Sequence, residues 1–438
     1  MRTAGDNFWL DMPYQPNPGL WGNHEVDVAI VGGGFTGLST AYFLKLRNPD
    51  IKVAILEKQF IGFGSSGRNT GISGGTLGHS IDRLKKIYGI EKVIPLQKLA
   101  LRSYMLVEEL IKEHEIDCDY EKCGLMTLAR SAKDIETLEH EARACEEAGL
   151  NAELLGKEEA SARFGALKLL GGLNYTDQGR LNPGKFVRGM KRVVESLGVD
   201  VYENSECTRI EPGPELLLYT PGGSVRAKQI VMATNAYSNP LGLYKSKLFP
   251  LYIYHIITEP LTKAQMDELQ FGSPTVAFNA RHLFWAVRPT ADNRLIFINN
   301  DAMSYFNRNK DYSHRPREYR KHYKLMVKLF PFLKGVKITH QWGGCICMTL
   351  DFMPFIGQTG KHKNIFYSLG YNGHGVAMCQ LAGQMTAALM EGETSELTNH
   401  ALINRRGVSL PSTTLSYLGI NAYKTVYKID DWIRNMKK

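Results

Sequence analysis

Three glycines and one acid are the first residues in this chain whose types and spacing could do chemistry. Val26–Gly37 reads VDVAIVGGGFTG, which contains Gly32-x-Gly34-x-x-Gly37 directly after a short β-branched apolar run. In that pattern the first glycine makes a tight turn. The second lets backbone approach a pyrophosphate, and the third lets the following helix pack closely on the strand. Phe35 and Thr36, between the glycines, would place main-chain N–H groups at the helix start, where phosphate is bound. A second apolar run, Lys52–Leu56, ends in Glu57, followed by Lys58. An acid there suits the hydroxyls of an unphosphorylated adenosine ribose. NAD and FAD both carry that ribose, so this part of the sequence specifies a dinucleotide without choosing between them.

Phe60–Gly75 reads FIGFGSSGRNTGISGG, and FWLDMPYQPNPGL precedes the first strand. Together they resemble the D-amino-acid-oxidase-like superfamily of FAD-dependent amine oxidoreductases, in particular the branch related to gamma-glutamylputrescine oxidase and, more distantly, glycine and sarcosine oxidases. The match runs through Gly64, Ser66, Gly67, Arg68 and Asn69. The resemblance implies that Gly64–Gly71, with Ser65 and Thr70, lies along a flavin and offers it closely spaced N–H groups, beside the permanent charge of Arg68. It also implies cofactor contacts from Cys207 and Thr208 on an expected strand Val201–Ile210, and from Thr234 and Asn235 in IVMATNAYS. Asn235 stands where a glycine is usual, at a position expected to be left-handed. Trp342-Gly343-Gly344, Thr349-x-Asp351-x-x-Pro354 and Gly370–Val376 (GYNGHGV) resemble the closing flavin segments, with Gly370, Asn372, Gly373, His374, Gly375 and Val376 as ligands. His374 is expected to order the loop through a hydrogen bond rather than to act as a base.

The implied reaction is oxidation of the CH–NH bond of a small amine or amino acid, by hydride transfer to FAD followed by imine hydrolysis. Such chemistry rests on positioning more than on an acid or base. Candidate catalytic residues are therefore Arg68, Tyr254, Trp285, Arg288 and Trp342. The aromatic rings would form a cage for the amine, and Arg288 would pair with a substrate carboxylate. His255 alternates with Tyr254 and is expected on the other face of its strand. Some oxidases of the superfamily carry lysines on the strand that here reads Leu295–Asn300 (LIFINN) and just after the G-H-G segment, where this chain has Val376-Ala377. Oxygen therefore competes with a quinone or a partner protein as electron acceptor. Cys345 and Cys347 lie near the place where some sarcosine oxidases attach FAD covalently, but their spacing to Asp351 does not match, and non-covalent FAD is expected.

The elements that must position these residues are those of an α/β protein. The resemblance implies a Rossmann-like FAD-binding domain assembled from 1–85, 160–240 and 338–395. A substrate domain from 86–159 and 241–337 would roof the flavin with a β-sheet, and 396–438 forms a basic tail. Amphipathic spacing predicts helices over Leu96–His114 and Lys133–Ala148. Strands are predicted over Leu251–Thr258, Thr275–Phe278, Phe284–Arg288 and Arg294–Ile298, and a helix over Gly184–Leu197.

Composition sets outer limits. The 438 residues are 43% hydrophobic and 22% charged, as in globular proteins. The net charge of +9 is local: residues 302–340 hold ten basic and two acidic residues, residues 401–438 hold seven and two, and the rest is net negative. Arg315–Lys328 reads as an ordinary amphipathic helix, so nucleic acid is not expected as a partner, and a tRNA-modifying flavoenzyme is a lesser alternative. Tyr417–Lys438 suits a helix docked on the protein itself or one in contact with a membrane surface. A non-catalytic flavin-holding subunit is a further alternative. Seven cysteines without zinc-site spacing imply free thiols and no metal. With no signal-like start and no long apolar run, a cytoplasmic protein is expected, with peripheral contact to the inner face of the membrane through the tail as the alternative.

Overall fold

The computed structural model describes residues 7–78, 80–238, 246–272, 276–299, 302–306, 311–410 and 412–436. Thr275, Asn300 and Lys438, named above as ends of expected segments, lie outside them. The strand Gly22–Val31 is the axis of the first sheet. It pairs in parallel with Gly223–Met232 on one side and with Val53–Leu56 on the other, and Val53–Leu56 pairs in parallel with Asp200–Tyr202. Ile365–Leu369 adds in parallel to the end of Gly223–Met232. Residues Val28–Val31 and Val53–Leu56 are all buried, as expected for parallel strands covered on both faces.

Helices Phe35–Arg47, Pro183–Ser196 and Gly375–Met390 cover this sheet. Gly383 lets two of them meet closely: a Cβ there would lie 2.6 Å from Ser39 Oγ. The Ser39 hydroxyl donates across the same contact to Gln380 O at 2.9 Å. The expected strand Val201–Ile210 is two short strands, Asp200–Tyr202 and Arg209–Glu211. The interruption carries Glu203, a fully buried carboxylate whose partners come from several segments and which no ladder residue could present to all of them.

The second sheet runs in the order Ile338–Met348, Phe249–Thr258, Leu295–Asn299, Trp285–Pro289, Ala277–Asn279, Leu125–Ala129, Gly171–Tyr175, Ala152–Leu155. Its four predicted strands form within two residues of their expected bounds. The helix expected at Leu96–His114 begins earlier and spans Ile90–Glu113, with Pro95 inside it. One face of the sheet packs under Pro316–Leu329, through Tyr254, Trp285, Phe297 and Phe330. The other face buries His255, Ile257, Ala286, Arg288 and Trp342 against Trp9 and the loop after Glu57. Helix Pro316–Leu329 turns Tyr319, His322 and Met326 inward and leaves Arg317, Arg320, Lys321, Lys324 and Lys328 exposed, the arrangement of an ordinary amphipathic helix.

Candidate functional site

The glycines of the fingerprint are dictated by contact distances. Gly32 has φ +111°, and a Cβ there would lie 2.8 Å from Ala233 O. A Cβ on Gly37 would lie 2.0 Å from Gly32 O, and one on Gly34 would lie 2.8 Å from Ser66 Oγ. Helix Phe35–Arg47 therefore starts at a residue with no capping side chain, and Phe35 N–H donates instead to Ser66 Oγ at 2.9 Å. Thr36 is buried and its hydroxyl donates to Tyr371 Oη at 2.9 Å. The Glu57 carboxylate accepts from Gly33 N–H at 2.8 Å and Gln59 N–H at 2.9 Å, and burial raises its pKa. Lys58 is turned outward in an ion pair with Glu206. Cys207 is buried, whereas the Thr208 main chain bonds to Tyr219 O at the far edge of the sheet.

The loop Gly64–Gly71 joins this fingerprint to the second sheet, and its carbonyls are all engaged from residue 65 to residue 71. Asn69 Nδ2 takes Ser65 O and Ser66 O, at 3.0 and 2.8 Å. Asn7 Nδ2 donates to Gly67 O, Trp342 Nε1 to Arg68 O, and Trp9 Nε1 to Asn69 O. Arg288 NH1 donates to Thr70 O at 2.8 Å, Gly71 O at 2.7 Å and Leu181 O at 3.0 Å. Ser65 Oγ reaches Cys345 O on the roof strand at 2.7 Å. A loop whose carbonyls are all turned to protein donors concentrates positive dipole ends on its other side, which suits phosphate and flavin oxygens. The residues present thus fit an FAD: a glycine cradle at a helix start, a ribose-height acid, and an N–H-rich loop.

Around this loop the fold brings together Arg68, Arg288 and Trp342. Arg68 is pinned by its own Nε on Phe63 O (2.6 Å) and NH1 on Gly343 O (3.2 Å). Arg288 is 3% exposed, and burial lowers its pKa to about 9. Its NH1 is committed to the loop carbonyls, so it clamps the loop to the roof, a role different from the expected salt link with substrate. Tyr254 and Trp285 are not brought to the loop. Tyr254 Oη meets Tyr305 Oη and Tyr312 O, and Trp285 packs on Phe330, both on the sheet face beneath helix Pro316–Leu329. Strand alternation puts both on the sheet face opposite His255, Arg288 and Trp342, where Tyr254 meets the stacked rings of Tyr305 and Tyr312. His255 is on the loop side: it stacks on Trp342 at 4.9 Å, and its Nε2 is 3.1 Å from Thr70 Oγ1.

The closing segments meet the same loop. A Cβ on Gly344 would be 3.2 Å from Arg68 Cβ, and one on Gly343 would be 2.6 Å from Ser313 O. Asn235 has φ +44° and accepts Gly370 N–H at 2.9 Å, while Thr234 bonds Ser238 at 2.7 Å. Asn372, at φ +55°, accepts from Thr349 N–H and donates to Gly370 O, and Gly373 has φ +94°. His374 donates from Nε2 to Gly78 O at 2.8 Å just before Gly375 and Val376 begin the apolar helix, and burial lowers its pKa. Cys345 and Cys347 are buried free thiols, with Cys345 pushed well up by burial.

Asn7 carried no sequence signal of its own, and Trp9 was marked only as part of FWLDMPYQPNPGL, with no sign that its indole would meet Asn69 O. Away from the loop, Glu203 and Lys191, 2.7 Å apart and both buried, are an ordinary acid and base in the sequence.

Comparison with known proteins gives a consistent picture. The family model described as DAO, FAD dependent oxidoreductase, matches residues 27–389. Gamma-glutamylputrescine oxidoreductase of Escherichia coli (strain K12) is 34% identical over 395 residues, covering 87% of this chain and 87% of that protein. The probable oxidoreductase OrdL of Haemophilus influenzae is 32% identical, covering 87% and 86%. Among solved structures, glycine oxidase from Geobacillus kaustophilus superposes with a TM-score of 0.74 at 22% identity, over 88% of this chain and 100% of that one.

Proposed function

The chain belongs to the FAD-dependent oxidoreductase family, and from that premise we propose that it oxidises the CH–NH bond of a small amine or amino acid to an imine, which water then hydrolyses. The observation that carries the reading is the loop Ser65–Gly71, held between the dinucleotide fingerprint and the roof strand Ile338–Met348 with every carbonyl engaged. When bound, FAD supplies two-electron redox chemistry at a carbon–nitrogen bond. Gly32, Gly34 and Gly37, with the start of helix Phe35–Arg47, hold the pyrophosphate, and Glu57 holds the adenosine ribose. Gly64–Gly71 would hold the flavin on one side, and the segments from Gly343 to Val376 would close the site. The N-terminus of helix Gly375–Met390 would offer positive dipole to the bound cofactor, which would favour added negative charge there. Residues 1–85, 160–240 and 338–395 hold the cofactor in this reading, and 86–159 with 241–337 shape the substrate side.

The structure has no lysine on Leu295–Asn299 or directly after Gly375, so the reading leaves the acceptor to be oxygen, a quinone or a partner protein. The deciding experiment is anaerobic titration of the purified yellow chain with primary amines, secondary amines, amino acids and polyamine derivatives. Bleaching of the flavin band by one of these classes is expected. A flavin that none of them reduces, but that dithionite does reduce, would refute the proposal.

A further inference from the structure

The C-terminal helix Thr413–Met436 has two apolar faces, and the body of the protein covers one. On the covered side Tyr427 stacks on His282 at 4.2 Å, Tyr417 packs edge-on against Phe306, and Lys424 Nζ reaches Ala302 O at 2.9 Å. Both acids of the helix are on this side. Asp430 is 3.1 Å from His282 Nε2, and Asp431 accepts the main-chain N–H groups of His282 and Leu283.

The opposite side carries Leu415, Leu418, Ala422, Val426, Ile429 and Ile433, all exposed; Leu418 is 56% and Val426 62% accessible. These residues follow one another by three, four, four, three and four positions. That spacing averages the 3.6-residue period of a straight helix, so the stripe runs along the axis without drifting for about 27 Å. A straight stripe fits a flat surface. Two more exposed apolar residues belong to elements that this helix touches: Phe306, and Ile87 on helix Ile81–Tyr88, whose Arg83 donates to Tyr423.

Charge selects the surface. Residues 413–438 hold five basic residues, Lys424, Lys428, Arg434, Lys437 and Lys438, against two acids, Asp430 and Asp431, and both acids contact the body. A second copy would set this net-positive segment against another of the same sign. An anionic bilayer complements both the stripe and its charge. We propose that helix Thr413–Met436 lies in the headgroup region of an anionic lipid surface, with its stripe toward the acyl chains and the flavin fold held behind it. No helix of the described residues is long and apolar enough to cross a membrane, which fits a helix lying in the surface plane.

The test is co-sedimentation of the full-length holoprotein with vesicles of phosphatidylcholine, with and without phosphatidylglycerol. Binding to the mixed vesicles is expected to weaken from about 0.05 to 0.5 M salt. It should fall at least about tenfold in the Val426→Asp/Ile429→Asp variant, with bound flavin and melting temperature unchanged. Leu418→Glu probes the same stripe independently if the double variant loses its flavin. Absence of wild-type binding to anionic vesicles at low salt overturns the proposal, as does binding that neither variant weakens. A lipid-free dimer that Leu418→Glu converts to a monomer, with no lipid binding by either form, would assign the stripe to a second copy instead. None of these outcomes depends on which amine reduces the flavin.

Discussion

His255 and Gly34 show how single residues near the loop are constrained. His255 is buried between Trp342 and Thr70, and burial lowers its pKa from 6.5 to about 3. A histidine held neutral in the fold but free to protonate when unfolded contributes its full stabilisation above pH 6.5. That contribution is lost progressively as the pH falls below 6.5 toward 3. At pH 5 the loss is about 2 kcal/mol for this residue. His322 and His374 shift in the same direction, also through burial. Urea denaturation at pH 7 and pH 5 should show the drop, and His255→Gln should shrink the difference by about that amount. Gly34 has ordinary extended backbone angles, φ −90° and ψ −173°, so its constraint is contact with Ser66 alone. Gly34→Ala is expected to keep the fold while displacing Ser66 and lowering the flavin-to-protein absorbance ratio of the purified chain. An unchanged ratio would remove Gly34 from the cofactor site.

Among the elements, the loop Ser65–Gly71 has the most to lose from a single change, because Arg288 alone serves three carbonyls on two segments. Arg288→Met leaves Thr70 O and Leu181 O without that donor and is expected to cost about 3 kcal/mol. Thermal melting should record that loss together with reduced flavin content. Arg288→Lys keeps the charge, but its shorter side chain does not carry the nitrogen out to the position of NH1 where the three carbonyls converge, so only partial recovery is expected. A wild-type melting temperature in Arg288→Met would show that the clamp is dispensable. The roof strands themselves were legible in the sequence because their β-branched runs are short and bounded by turns. Which side of the roof each residue takes followed correctly from alternation for His255 against Tyr254. The missing information was which of the two faces meets the loop. Helix Pro316–Leu329 covers the face of Tyr254 and Trp285, so these two rings pack beneath it and not on the loop.

For the whole molecule, the contacts that bring distant segments together are polar and buried. Glu203, with no exposed surface, accepts from Lys191 Nζ at 2.7 Å, Tyr14 Oη at 2.5 Å, Asn17 N–H at 2.6 Å and Ile61 N–H at 2.5 Å. It thereby ties the N-terminal segment and the loop after Glu57 to the edge of the first sheet. Lys191→Met strands that carboxylate in the interior and is expected to cost about 3–5 kcal/mol, read from the denaturant midpoint. Adding Glu203→Leu should recover part of the loss, and a midpoint unchanged in Lys191→Met would show that the pair is not load-sharing. Local sequence determined the features that depend on neighbours along the chain: the strand–glycine–helix turn at Gly32–Gly37, the acid at Glu57, the left-handed Asn235, the roof strands and the two amphipathic helices. It also located the basic charge in two segments, one of them ending in a helix with an exposed apolar stripe. Only the tertiary structure decided that five carbonyls of one loop, residues 67 to 71, are capped by four remote side chains, those of Asn7, Trp9, Arg288 and Trp342, that Arg288 is a clamp, and that Glu203 is a junction. Turns and periodicities are encoded within a few residues, whereas the remote donors of the loop stand 60 to 274 residues from their acceptors, and only folding brings them together.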